Sequence, residues 1–137
     1  MRRQGIPSPR SASMSSGPPD SRRVLVFAVA GRTRCCELEQ VREIVPISGT
    51  TRLPGAPLFV RGLINLRGNL VTVLDAAMSL YGVPGDDTTA SILLVERGGG
   101  VAGVVVDNVF DIQSLPNVEI NGGALLDLRA MVESALA

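Results

Sequence analysis

The sequence predicts an all-β protein made of two small β-barrel subdomains packed together, the second one shortened, with short helices and a C-terminal helix. Three observations lead there. Hydrophobic residues make up 45% of the 137 and aromatics only 3%, so the core has to be aliphatic, and 17 of its residues can be valine. Branched side chains are stiff at χ1 and fit a pleated surface better than a helix. The 15 glycines and 9 prolines divide these apolar runs into short pieces, as strands and turns require. The chain also resembles itself. Displaced by 68 residues, Val24-Leu25-Val26 falls on Ile92-Leu93-Leu94, Gly31 on Gly99, and Val41-Arg42-Glu43-Ile44 on Val109-Phe110-Asp111-Ile112. Leu74-Asp75 falls on Leu126-Asp127 at a shift of 52, so the second copy is 16 residues shorter and lacks a counterpart to Gly62–Arg67. Two units of four or five strands are enough to close two small barrels, and closure removes the exposed edges that invite aggregation.

Each element follows from local chemistry. Residues 1–23 are rich in Ser, Pro, Gly and Arg and hold few large apolar groups, so they predict a disordered tail, and the domain runs over residues 24–137. Val24–Ala30 is a strand, Gly31-Arg32 a turn, and Thr33–Leu38 the returning strand. The spacing of Val41 and Ile44 predicts a helical turn over Glu39–Ile44. Arg61–Arg67 and Leu70–Asp75 are apolar-rich runs joined at Gly68-Asn69, a hairpin signal. Ala76–Leu80 makes one or two helical turns stopped by Gly82 and Pro84. Ile92–Glu96 and Val101–Val106 form a second hairpin across Gly98-Gly99-Gly100. Val109–Ser114 and Ala124–Asp127 are extended. Leu128, Met131, Val132 and Leu136 form a helical stripe.

Composition closes most routes to an enzyme. All 13 basic residues are Arg; there is no His, Lys or Trp. Without His there is no imidazole base or imidazole metal site, and without Lys no Schiff-base amine or Walker-type lysine. No catalytic residue, cofactor or metal site is expected. Residues 1–23 carry a net charge of +4 and residues 24–137 a net of −4, so the folded part is a poor nucleic-acid binder. Ser21-Arg22-Arg23 precedes the apolar run Val24–Ala30, but seven residues are too few for a membrane helix. The protein is expected to be cytoplasmic, without direct membrane insertion. Cys35 and Cys36 are adjacent; a bridge between neighbours is strained, so they are expected as free thiols, one facing inward and one outward.

Several motifs dissolve on inspection. Gly98–Gly103 matches G-x-G-x-x-G, but strand residues follow where a phosphate-binding helix is needed. Asp86-Asp87 reads as a solvated loop. Asp111 shares a face with Val109 if the segment is extended, which makes it a candidate for an ion pair rather than a metal ligand.

The stretch Thr51–Asp75 carries more. An arginine after an apolar strand needs solvent or a partner, and its planar fork suits a carboxylate. Glu43 is the obvious partner of Arg67. With the strand Val24–Gly31, the segment Val41–Ile44, the run TRLPGAPLFVRGLINLRG at Thr51–Gly68, LVTVLD at Leu70–Asp75, Val101–Ile112 and Leu126–Val132, the chain resembles the CheW family of chemotaxis coupling proteins. That resemblance implies two SH3-like five-stranded barrels around a shared aliphatic core and no catalysis. It implies binding to the regulatory domain of a CheA-type histidine kinase, to the cytoplasmic tip of methyl-accepting chemoreceptors, and to other CheW-like domains in receptor-associated arrays. It places Val41, Glu43, Gly62, Asn65 and Arg67 among receptor-contact or conformation-setting residues, with Glu43 and Arg67 also a structural ion pair. The chain departs from the family between Ile120 and Ala124, where a longer connection and an extra strand are normal. A role in a non-chemotactic two-component pathway, or as a coupling protein with reduced partner binding, is the alternative.

Overall fold

The computed structural model describes residues 22–47, 50–51, 53–86, 88–114 and 125–136. The predicted tail lies outside these residues except for Arg22 and Arg23, as do Asp87 and the Ile120–Ala124 connection. The elements are β1 (Arg23–Val29), β2 (Arg32–Glu37), a 3-10 turn (Leu38–Gln40), β3 (Val41–Pro46), β4 (Val60–Leu66), β5 (Asn69–Asp75) and α1 (Ala76–Tyr81). They continue with β6 (Ser91–Arg97), β7 (Gly100–Val106), β8 (Asn108–Ser114), β9 (Leu125–Leu126) and α2 (Leu128–Leu136).

Three tight hairpins organise the chain, and each is set by residues that accept positive φ. Ala30 and Gly31 (φ 52° and 76°) join β1 to β2. Arg67 and Gly68 (φ 50° and 86°) join β4 to β5. Gly98 (φ 59°) opens the β6–β7 turn. The second turn therefore sits one residue before the expected Gly68-Asn69, because Asn69 already pairs with Leu66.

The mostly β architecture consists of two sheets, ordered β8-β1-β2-β9 and β3-β6-β7-β5-β4. Strands related by the 68-residue shift hold equivalent places, but the barrels do not coincide with the halves of the sequence, which corrects the expectation of one barrel per repeat. Each half supplies a central hairpin to one sheet and its remaining strands to the other. Thus β3 pairs with β6 and β8 with β1, both antiparallel, while β5 pairs with β7 and β9 with β2 in parallel. The five-stranded sheet has β3 and β4 at its edges; the four-stranded sheet has β8 and β9.

The expected helical turn over Glu39–Ile44 is corrected. Helical geometry stops at Gln40, and Val41–Pro46 is strand β3, paired with β6. Val41, Ile44 and Val45 are β-branched, and extended pairing suits them better than a helix.

The cores follow the layers. The main cluster lies between the sheets and joins Leu25, Phe27 and Cys36 to Leu74, Leu93 and Val104, closed below by Leu128 and Val132 of α2. Burying each large side chain here is worth roughly 2 kcal/mol relative to leaving it in water. Ile64, Val71, Val73, Ile92 and Leu94 fill the far side of the five-stranded sheet. Val24, Val26 and Cys35 form a much smaller cluster on the far side of the other sheet. Both cysteines are consequently buried, Cys36 in the main cluster and Cys35 in the small one, and both are free thiols. The expectation of one outward cysteine fails because both faces of β2 are covered at that point.

Each helix begins on the aspartate of a repeated Leu-Asp pair. The Asp75 carboxylate accepts from Met78 N–H at 3.2 Å, and that of Asp127 from Ala130 N–H at 3.0 Å. Gln40 reinforces the second start, donating to Asp127 and accepting from Leu128 N–H at 2.8 Å. These caps satisfy backbone donors that a helix leaves open.

Candidate functional site

The site is built at one end of the five-stranded sheet. Strand β3 alternates half-buried and exposed positions, and Glu43 is one of the half-buried ones. The β4–β5 turn raises Arg67, whose positive φ turns the chain back. Asn65 holds this turn: its Oδ1 accepts from Gly68 N–H at 2.9 Å. Arg67 Nη2 and Glu43 Oε2 lie 2.5 Å apart, with side chains 65% and 40% exposed. The two belong to opposite edges of the sheet, so the sheet curls until its edges approach. Thr51 completes the approach, exchanging two 2.9 Å backbone hydrogen bonds with Leu63 on the outer side of β4.

Around the ion pair lies a depression of about 610 Å³, floored by Leu66, Val71 and Leu94 and rimmed by Arg42, Leu70 and the β6–β7 turn. Leu70 is 70% exposed, the most exposed large apolar side chain described. A second ion pair, Arg42 with Glu96 at 3.5 Å, flanks the same end. The surface of the depression is mostly polar, with leucine and valine side chains set among the charges of its rim. Among the described residues no group of three or more His, Cys, Asp or Glu could hold a metal ion.

Of the five residues singled out in the sequence, the structure brings together Glu43, Arg67 and, through the turn, Asn65. Val41 packs instead against the main core. Gly62 is buried in mid-strand, five positions before Arg67, at φ 146° in a register shift between Val60 and Gly62. It serves the bend of β4 rather than the rim.

Sequence reasoning missed Leu70, although its alternation with Val71 and Val73 carries the signal. It also missed Arg61, whose Nη1 lies 3.5 Å from Asp75 Oδ2 with both side chains largely buried. The Arg32 guanidinium stacks 4.2 Å over the Tyr81 ring, while Arg34 donates to the Tyr81 hydroxyl at 2.6 Å. These contacts bind β2 to α1. The ion pair expected of Asp111 is replaced by local bonding. A bulge in β8 separates it from the face of Val109, and its carboxylate accepts from Ile112 N–H at 2.7 Å. Asp86 is exposed and accepts from Thr88 N–H, which lowers its pKa.

The titratable groups that shift are structural. Burial, with Cys35 and Glu37 adding negative charge nearby, pushes the Cys36 thiol up to about 12. Burial also raises Cys35, against the pull of Arg34. Neither supplies a thiolate near neutral pH. The Ala130 N–H and the Gln40 amide hold Asp127 below the usual carboxylate value. No described helix is long and apolar enough to cross a membrane.

Comparison with known proteins agrees with this architecture. The chain is 33% identical over 92 residues to a probable chemotaxis protein CheW of Rhizobium etli, covering 66% of this chain and 59% of that protein. It is 32% identical over 95 residues to protein PilI of Pseudomonas aeruginosa, covering 66% of this chain and 51% of the relative. The match therefore spans only about half to six-tenths of these relatives' length. The crystal structure of the scaffolding protein TtCheW from Thermoanaerobacter tengcongensis superposes with a TM-score of 0.66 at 28% identity, covering 74% of this chain and 67% of that one. Residues 23–135 match the CheW-like domain, and the chain belongs to that family.

Proposed function

We propose that the chain is a non-catalytic chemotaxis adaptor that couples chemoreceptors to a CheA-type histidine kinase. Residues 24–137 act as one CheW-like domain and residues 1–23 as a tail. The observation that supports the reading best is the Glu43–Arg67 pair on the rim of an open depression that mixes charged and aliphatic side chains. It can hold a docking surface in one conformation and meet a charged partner without any reactive group. Receptor helices and the kinase regulatory domain are the partners implied by the family, with other CheW-like domains as neighbours. Nucleic acid is not among them, since the folded part is acidic. The protein works in the cytoplasm and reaches the membrane through its receptors.

The test is capture of a CheA-type regulatory domain and of a receptor tip by the purified chain. Both bind the parent protein, and Arg67→Asp loses the kinase domain while its circular dichroism is unchanged. Full binding by the folded variant removes Arg67 from that interface. A second reading, a CheW-like module in a non-chemotactic pathway, draws support from the similarity to PilI. It predicts binding of a kinase regulatory domain but of no chemoreceptor tip.

A further inference from the structure

We propose that the four-stranded sheet is completed by an extended segment of a partner protein, which presents an arginine or lysine to Asp111 along the open edge of β8. The surface lies on the sheet that does not carry Glu43 and Arg67, and the inference stands whether or not the coupling role does.

The two sheets are built from equivalent strands in the same order. In the five-stranded sheet, β4 occupies the place outside β5 and delivers Arg67 to Glu43 on β3. In the four-stranded sheet, β9 is the counterpart of β5 and β8 of β3, but among the described residues no strand stands outside β9. The chain between Ile112 and Leu126 is 16 residues shorter than that between Ile44 and Leu74, more than twice the length of β4. Glu43 has its counterpart in Asp111, an exposed carboxylate whose only bond described is to the next backbone N–H. The carboxylate has been kept where the arginine has not.

The edge itself has the character of a docking strand. Among the described residues β8 is paired on one side only, to β1. From Phe110 to Ser114 all its residues are exposed, and Phe110 and Ile112 are 53% and 40% exposed. An exposed edge strand with apolar side chains is a template for strand addition. A second copy of the chain fits it poorly. Asp111 is the middle residue of β8, so centred antiparallel pairing of two copies sets two aspartates opposite one another, and like charges directly opposite destabilise a ladder. A partner strand with a cation at that position gains where the copy loses.

The chain carries its own probe: a synthetic peptide of residues 58–68, which contains β4 and Arg67. Titrated into the full-length protein, it is expected to shift backbone amide resonances along β8 and β9. Asp111→Arg, an exposed substitution, is expected to weaken binding about tenfold. A peptide with Arg67→Glu is expected to recover binding to the Asp111→Arg protein and to lose it to the parent. Absence of shifts on β8, equal affinity for parent and Asp111→Arg, or a concentration-dependent dimer that protects the β8 amides in the free chain would each overturn the proposal.

Discussion

Arg67 and Glu43 stand on opposite edges of a five-stranded sheet, yet their charged groups lie 2.5 Å apart. Strands joined by a hairpin are held by many backbone bonds; among the described residues these two edges are joined by a bridge at Thr51 and by this ion pair. The pair is exposed, so its Coulombic gain is modest. Its other role is geometric, because it joins the two edges of the sheet beside the depression.

Arg67 also carries a backbone cost, and the two effects can be separated. At φ 50° a side chain costs about 1 kcal/mol that glycine does not, and an exposed ion pair contributes about 0.5 kcal/mol. Arg67→Gly is expected to leave the urea midpoint nearly unchanged. Arg67→Ala keeps the strained backbone, loses the pair and lowers the midpoint. Equal losses in both variants would mean that the backbone is not strained.

Gly103 is a packing requirement. A Cβ there would lie 2.7 Å from Ile92 Cγ2 and 3.3 Å from Val73 Cγ2, both inside a filled core. Gly103→Ala is expected to destabilise by about 2 kcal/mol, measured by chemical denaturation.

Asp75 does two jobs. It caps α1 and faces the largely buried Arg61. Asp75→Asn retains an acceptor for the Met78 N–H but removes the charge, whereas Asp75→Ala removes both. Thermal unfolding is expected to rank parent, Asn and Ala in that order, with about 1 kcal/mol between the last two.

The pH dependence has two limbs of opposite sign. Asp127 has a lowered folded-state pKa, so its contribution is present above the unfolded value of 3.8 and is lost as pH falls through and below it. Asp127→Asn is expected to flatten the acid limb of a melting-temperature profile. Cys36 is raised from 9.0 to about 12, so its contribution is full below 9.0 and is lost as pH rises from there toward 12. Cys36→Ala is expected to flatten the alkaline limb. At neutral pH neither thiol is expected to react with iodoacetamide until the protein unfolds.

The strands were legible because Val and Ile runs alternate with glycine turns, and α2 because its apolar stripe has helical spacing. The β4–β5 turn sits one residue before Gly68-Asn69 because Arg67 takes a positive φ beside Gly68 and Asn69 already pairs with Leu66. Two helically spaced residues misled the reading of Val41–Ile44, where pairing to β6 decided the matter. Both cysteines went inside because burial of a strand's second face depends on distant layers. The exchange of strands between halves left no local trace, since periodicity says which residues are extended and not which strands become neighbours. At the candidate site, charge complementarity pointed from Arg67 to Glu43, but nothing local revealed that Asn65 sets the turn or that Val41 and Gly62 face elsewhere.

That exchange makes the halves inseparable. A cut in the connection between Tyr81 and Ser91 would leave one fragment with β1 to β5 and the other with β6 to β9, and neither would own a whole sheet. Each fragment's hairpin would find its flanking strands only on the other molecule. Reconstitution from the two pieces would then be bimolecular, with a rate that rises with concentration, and an intact chain has this encounter built into its covalent connection.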